Sequence, residues 1–555
     1  MLKIQDDGVM SESLASKPSA GLLLMLRGIV ILILTALFTV YCVRESRIIG
    51  RLSTAPNYDD CTYCLSGAVL LNDLKEDGLH GFAEYLKKSA PCGGFHSPFS
   101  VLLAAASYAL FGFHEASPYF ANALVVLFYL CGVGWILRSL PIFPWILGLI
   151  LFLTPPFITI GVVEFRPDIA WGIVVGFGVV FIVTSGKILR SPLHAFLAGL
   201  AFGLSLIIKP STFVMTLLLF GGAITSRMIG AILEKRLRPD GKAMVGLLVF
   251  LAATLVVAAP YWSYYGKETF QYFLDNAFGV NKLVWNYRGS RHEFLFYYIT
   301  GEGWRSSMYL SGTLIAILEI ACLIYLSYSR PDLRWKLGSL ILLMLGGLTV
   351  NSVAQMKSVF LGAGFYGILF FSSSYLLATA WDSLSTEKGT RIPNQLKIAL
   401  LILLTCTSYL FYRWPDASNW GRNRVEAENY RNARDFMEAI LKAHPDDCPK
   451  SILFMQSGPI VIETTGIYLE LVHRRASIAS GAFYRGIDEF REHYPWSDWI
   501  VIPEQGVMGA SPNLPSEGLL PECLAILNND TNFRKIAEFT SGNGKKAWIY
   551  SKISK

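Results

Sequence analysis

LLLMLRGIVILILTALFTVYCV, residues 22–43, decides the fold class: Arg27 is the single charge in a run long enough to cross about 30 Å of hydrocarbon as a helix. The run is too long for the apolar core of a signal peptide, and no small-residue cleavage site follows it, so it reads as a retained span. Blocks of the same kind recur at GLLVFLAATLVVAAPYW (246–262), YLSGTLIAILEIACLIYL (309–326) and QLKIALLILLTCTSYLFY (395–412). Over 555 residues, 53% are hydrophobic and only 16% charged, against about 25% charged in a typical soluble chain. Mean hydropathy is +0.43. These features predict an α-helical polytopic membrane protein.

The formal charge of +7 is not spread as a nucleic-acid-binding face. Its lysines and arginines gather in short loops: GKILRSP (186–192), EKRLRPDGK (234–242), YSRPDLRWK (328–336) and STEKGTRIPNQLK (385–397), with Arg138 marking a weaker fifth. Short basic loops face the cytoplasm, and each interval between them has room for a pair of spans. The expected spans are 21–43, 118–138, 143–161, 168–186, 193–208, 211–231, 243–261, 307–326, 335–353, 358–380 and 396–412, about eleven in all. The N-terminus is then cytoplasmic and the C-terminus outside.

PFSVLLAAASYALFGF (98–113) is left out of the count because a crossing there would put every later basic loop on the wrong side. It reads as a juxtamembrane helix lying along the bilayer. The domains expected are a membrane domain, 1–412, and an extracytoplasmic domain, 413–555. The first carries outer loops over 44–117 and 262–306. The second reads as a soluble α/β domain, with a helix in RVEAENYRNARDFMEAILKA (424–443), buried strands in SILFM and WIVIP, and an edge pair in KIAEF and KAWIYSK.

In this topology ionisable residues recur where spans meet the outer surface. Asp59 and Asp60 stand in NYDDCTYCL (57–65), His96 precedes the juxtamembrane helix, and Glu164, Arg166 and Asp168 form EFRPD. Lys209 occupies the next outer turn, and NKLVWNYRGSRHEF (281–294) supplies Arg288 and Arg291 among aromatic residues. Singly, each has a bland reading: solvated loop charge, turn-orienting ion pair, snorkelling lysine or interfacial belt. Together, acids and bases at one depth in five segments suit transfer of a sugar from a lipid-linked phosphate. A carboxylate accepts the acceptor's proton or orients its nucleophile, and cations hold the departing phosphate. Phosphate leaves readily, so no second carboxylic acid is needed, unlike glycoside hydrolysis.

The order of these motifs resembles the GT-C superfamily of polytopic glycosyltransferases. It is most similar to the branch holding protein O-mannosyltransferases and lipid A aminoarabinose transferases (glycosyltransferase family 39-like). In that branch an acidic pair, usually Asp-Glu, follows the first span, and here Asp59 and Asp60 stand in its place. Lys-Pro-Pro-Leu typically opens the juxtamembrane helix, where this chain has FHSPFSVLLAAASYALFG (95–112), placing His96 and Pro98 at the matching positions. FGFHEASPYFANAL (111–124), EFRPDIAWGIVV (164–175) and AGLAFGLSLIIKPS (198–211) are similar to the family's Phe-Gly stretch, Asp-containing turn and Thr-Lys segment. The resemblance covers roughly 20–300.

The resemblance implies a GT-C fold and a multi-pass protein of the cell (inner) membrane. It implies a polyprenyl-phosphate sugar donor and a lipid, protein or glycan acceptor. Asp59 becomes the base or acceptor-orienting carboxylate, with Asp60 supporting it. His96, Arg166, Lys209 and Arg288 or Arg291 become phosphate ligands, and Asp168 orients a cation or the acceptor. His96 in place of lysine replaces a fixed cation by one that is largely neutral at pH 7 unless paired with an acid.

No cofactor is assigned. Mg²⁺ or Mn²⁺ at Asp59 and Asp60 stays open, since an acidic pair can coordinate such ions without needing to. Among nine cysteines, Cys92 could bridge to Cys61 or Cys64, and Cys448 to Cys523, in an oxidising compartment. CxxC without a second ligand pair does not indicate zinc. The main alternative function is a transporter or flippase of lipid-linked saccharides, which predicts charges at mid-membrane depth and an inverted repeat. A receptor with a membrane anchor needs fewer spans than these, and oligosaccharide ligases use similar lipid phosphates.

Overall fold

A computed structural model of the protein describes residues 20–49, 51–53, 59–87, 97–114, 116–185, 191–233, 241–279, 287, 289–354, 356–386, 431, 435, 451–456, 477–507, 514–541 and 543–553. The apolar blocks among the described residues are helices, the one open-ended structure that satisfies every main-chain polar group within itself in lipid. Among the described residues eight helices are long and apolar enough to span: Gly21–Ile48, Ser117–Ser139, Pro167–Thr184, Pro210–Ile232, Lys242–Ala277, Tyr309–Ser329, Pro331–Val353 and Val359–Leu384. A bent pair, Ile142–Leu153 with Pro156–Val163, makes a ninth. Pro192–Ile208 is a shorter apolar helix in the place of the expected span 193–208. The expected span 396–412 and the helix 424–443 lie outside the described residues, Arg431 and Asp435 apart.

The helices are α1 (Ala20–Ile49), α2 (Asp59–Lys87), α3 (Pro98–Phe111), α4 (Ser117–Ala121), α5 (Ala123–Ile136), α6 (Ile142–Leu153), α7 (Pro156–Val163), α8 (Pro167–Thr184), α9 (Pro192–Ile208), α10 (Phe213–Leu233), α11 (Gly241–Ala277), α12 (Arg291–Phe296), α13 (Glu302–Ser307), α14 (Tyr309–Ser329), α15 (Arg334–Val353) and α16 (Ala363–Thr386).

Three of them depart from expectation. The expected single span 143–161 is broken, α6 and α7 meeting at 65° across Thr154-Pro155. Pro155 is extended (φ −63°, ψ 137°), because Pro156 disfavours helical backbone in the residue before it. The acidic pair does not sit in a loop: Asp59 opens α2, a 29-residue segment kinked at Gly78, whose φ of 59° and ψ of −138° interrupt the helix there. α11 runs on through Pro260 to Ala277 for 37 residues, about 55 Å, so most of 262–279 extends the span instead of starting a loop. α3, by contrast, is a short apolar helix at the place expected for the juxtamembrane helix. Pro98 occupies its first turn, Ser97 caps it by accepting from the Ser100 N–H, and its 14 residues reach only about 21 Å.

α8 and α16 pack at the centre of the bundle, and glycine lets their backbones touch. A Cβ on Gly172 would collide with the Ala363 carbonyl, and one on Gly367 with the Gly172 carbonyl. Gly362, Gly364 and Gly367 reproduce the GxGxxG spacing of a dinucleotide fingerprint. They open and line a membrane helix with no strand before it, so the spacing here serves helix contact. Nearer mid-span, Glu319 of α14 is buried and accepts a hydrogen bond from Ser373 Oγ of α16 at 2.9 Å.

The tail forms a five-stranded sheet of order β2-β1-β3-β5-β4, from β1 (Ser451–Phe454), β2 (Ser477–Ser480), β3 (Trp499–Pro503), β4 (Phe533–Thr540) and β5 (Lys546–Lys552). β1 lies parallel to β2 and β3. β5 runs antiparallel to β3 and to β4, so KAWIYSK is an interior strand and only its partner is an edge. The helix Leu520–Asn529 lays Leu520, Cys523 and Leu527 on the core formed with Leu453, Ile500 and Ile502. Cys523 is a buried free thiol, which removes the expected Cys448–Cys523 bridge, and Cys64 is buried. The side chain of Cys61, and all of Cys92, lie outside the described residues.

Candidate active site

The α6–α7 break aims α7 so that its C-terminal end, Glu164–Arg166, turns back beside α2. Asn122, between α4 and α5, fixes that turn by donating from Nδ2 to the carbonyls of Val162 at 2.9 Å and Glu164 at 3.3 Å. Asp60, fully buried, is placed by the first turn of α2. Its Oδ2 accepts from the Phe165 N–H at 2.9 Å and from Tyr119 Oη at 3.1 Å. Arg166 Nε lies 3.9 Å from Asp60 Oδ1 and 3.3 Å from Glu164 Oε2. Its guanidinium rests over the Phe360 ring at 4.6 Å, a cation–π contact from the turn Val359–Gly362. Two acids and one arginine thus gather at the N-terminus of α8, where the helix dipole favours negative charge.

Asp168 follows in the first turn of α8 and is buried. It forms an ion pair with Lys209 Nζ, which the chain presents as it leaves α9 (φ −137°, ψ 82°) and enters Pro210. On the turn before α16, Lys357 Nζ donates to the carbonyls of Asn351 at 2.7 Å and Ser352 at 2.8 Å. It also faces the Phe294 ring at 4.0 Å and the Tyr298 ring at 5.4 Å. Burial pushes its ammonium down to about 8. Burial raises the Tyr298 phenol, with the Asp168 charge adding to the rise; its hydroxyl donates to the Ser358 carbonyl at 3.1 Å.

Of the residues expected from sequence, Asp60, Arg166, Asp168 and Lys209 are therefore brought together. Asp59 opens α2, but its side chain lies outside the described residues, as do His96 and Arg288. Arg291 is exposed on α12, where Ser290 and Glu293 form a capping box, while Phe294 of the same helix reaches Lys357. Sequence reasoning missed Lys357, Tyr298, Tyr119 and Phe360. Lys357 carried a signal: it sits in the short turn between expected spans 335–353 and 358–380, on the outer side of the expected topology, where lysine is disfavoured.

The described residues contain no group of three or more His, Cys, Asp or Glu placed to hold a metal ion. Asp60 is engaged by an N–H, a hydroxyl and a guanidinium, a set that competes with a divalent cation for its oxygens.

The fold is similar to that of solved structures of ArnT. The crystal structure of ArnT from Cupriavidus metallidurans bound to undecaprenyl phosphate superposes with a TM-score of 0.56 and 13% identity, over 94% of this chain and 98% of that one. ArnT in the apo state gives 0.55 and 12%, over 93% and 97%. No protein-family model and no curated protein sequence matches the chain.

Proposed function

We propose that the protein is a membrane glycosyltransferase that moves a sugar from a polyprenyl-phosphate donor to a lipid, protein or glycan acceptor at the extracytoplasmic face. The observation that carries this reading is the pairing of buried acids with cations, Asp60 with Arg166 and Asp168 with Lys209, at one end of a GT-C bundle. The likeness to a protein crystallised with undecaprenyl phosphate supports a donor of that class.

In this mechanism the acceptor's nucleophile attacks the anomeric carbon and the bond from that carbon to the phosphate oxygen breaks. Its electron pair stays on the phosphate, and an aspartate takes the acceptor's proton. Asp59 is the carboxylate proposed for that proton, with Asp60 holding Arg166 beside it. Arg166 and Lys209 face the phosphate as its charge grows. His96, Arg288 and Arg291 are further proposed phosphate ligands. Mg²⁺ or Mn²⁺ at Asp59 would have to share the site with Arg166, and EDTA treatment of purified membranes tests for it.

Incubation with a panel of radiolabelled polyprenyl-phosphate sugars, with label followed into lipid, protein and glycan fractions, tests the reading. Label that never leaves the donor fraction for any acceptor overturns it. The side of the membrane is tested by impermeant labelling of a cysteine placed at exposed Trp496 in intact cells. The transporter reading predicts functional charge at mid-membrane depth; the paired charges described here stand at helix ends, and the buried mid-span acid, Glu319, is held by Ser373 of the neighbouring helix.

A further inference from the structure

An anionic donor meets cations that are already engaged. Arg166 is shared between Asp60 and Glu164, and Lys209 is paired with Asp168. Lys357 differs: among the described residues it has no carboxylate within ion-pair distance. Two of its three N–H groups go to the carbonyls of Asn351 and Ser352, and aromatic faces of Phe294 and Tyr298 flank the ammonium. The turn that carries it also carries Phe360, three residues on, which lies beneath Arg166. Tyr298, at its side, feels the charge of Asp168.

We infer that Lys357 is a further ligand of the donor phosphate, supplying the cation that follows the charge developing as the sugar departs. The inference rests on the function proposed above. The donor's phosphate is a diester with one negative charge. When the carbon–oxygen bond breaks, the electron pair remains on the released oxygen and the lipid leaves as a phosphate monoester, whose second charge the ammonium meets through its remaining N–H. No oxidant or further reactant enters the step. The rings of Phe294 and Tyr298 shield part of that contact from water, which strengthens it.

A rival role is purely structural: a lysine near a helix C-terminus can cap the last carbonyls, here those of α15. The two roles separate in a binding experiment on the full-length protein in nanodiscs, with undecaprenyl phosphate as one probe and uncharged undecaprenol as the other. K357Q is expected to weaken undecaprenyl phosphate binding about tenfold or more and to leave undecaprenol binding unchanged. K357R, which keeps the cation, is expected to retain most of the affinity. Wild-type affinity for the phosphate should fall as pH rises from 7 to about 9.5, because the ammonium loses its proton over that range, whereas K357R should hold its affinity.

Equal phosphate binding by K357Q and wild type overturns the inference, as does a parallel loss of undecaprenol binding or the same pH profile in K357R. If wild type binds undecaprenyl phosphate and Lys357 is indifferent, only this inference falls. If wild type does not bind it at all, the functional reading falls first and the inference with it.

Discussion

Arg166 stands with its Nε 3.9 Å from Asp60 Oδ1, and the carboxylate it faces is fully buried. Removing Asp60 leaves the buried Tyr119 hydroxyl and Phe165 N–H without their acceptor, at about 1–3 kcal/mol each, while Arg166 keeps Glu164. Asp60→Ala should therefore lower stability by about 3 kcal/mol, read as a loss of thermal unfolding temperature in detergent. Asp60→Asn keeps an oxygen for the Tyr119 and Phe165 donors and should cost less, while transfer still falls by about a hundredfold or more. In the double variant Asp60→Asn, Arg166→Gln, stability should recover in part and activity should not. Full transfer activity in Asp60→Asn would remove Asp60 from the chemistry.

Asp168 and Lys209 give a second, separable pair. Asp168 has two stabilising surroundings, the N-terminal turn of α8 and Lys209, whereas Lys209 has the carboxylate. Asp168→Asn should destabilise more than Lys209→Met. A double-mutant cycle should return a coupling of about 1–3 kcal/mol. Lys209→Met should lower kcat with the lipid-phosphate donor more than it raises the apparent KM, because the cation meets charge that grows in the transition state. A coupling near zero in the cycle would show that the two side chains do not act as a pair in solution.

Much of this arrangement is legible in the sequence, for physical reasons. The spans are, because hydrocarbon imposes length and apolarity on each one separately. The acid–base partners Arg166, Asp168 and Lys209 are too, because charge at a span end is costly enough to be noticed. The break at Thr154-Pro155 was in plain view as two prolines, yet hydropathy over 143–161 is continuous and masks it. The helix α2 was harder: with Asn72, Asp73, Lys75, Glu76 and Asp77 in its middle, it carries no membrane-length apolar run, and it is recognised by packing against α3. Tyr119 and Phe360 were invisible because a hydrogen bond to Asp60 and a ring beneath Arg166 are products of tertiary placement.

Lys357 predicts a pH dependence of stability whose sign is opposite to its effect on binding. Burial lowers its folded pKa to about 8 from an ordinary 10.5. Between those values the unfolded chain holds the proton and the folded one has released it, so stability rises with pH across that window. Tyr298, raised in the folded state, adds a loss of stability above about pH 10, so the test belongs between pH 8 and 10. Thermal unfolding temperature should climb over that interval in wild type relative to Lys357→Met. Parallel curves for the two proteins would show that Lys357 titrates with an ordinary pKa.

Glu319 separates a structural polar group from the site. It sits within α14, buried, with Ser373 Oγ of α16 donating to its Oε2 at 2.9 Å. Hydrogen bonds between membrane helices average about 0.6 kcal/mol and reach about 1.7 kcal/mol. Ser373→Ala should therefore cost under about 2 kcal/mol. Glu319→Gln offers an oxygen in the same place without a charge to bury, so it should match wild type in thermal stability and in transfer activity. Glu319→Ala loses both the acceptor and the volume, which adds a cavity term, for a total of about 2–4 kcal/mol. A Glu319→Gln protein that folds normally but fails to transfer sugar would place this carboxylate in the reaction after all, because glutamine preserves the contact between α14 and α16 and removes only the ionisable proton.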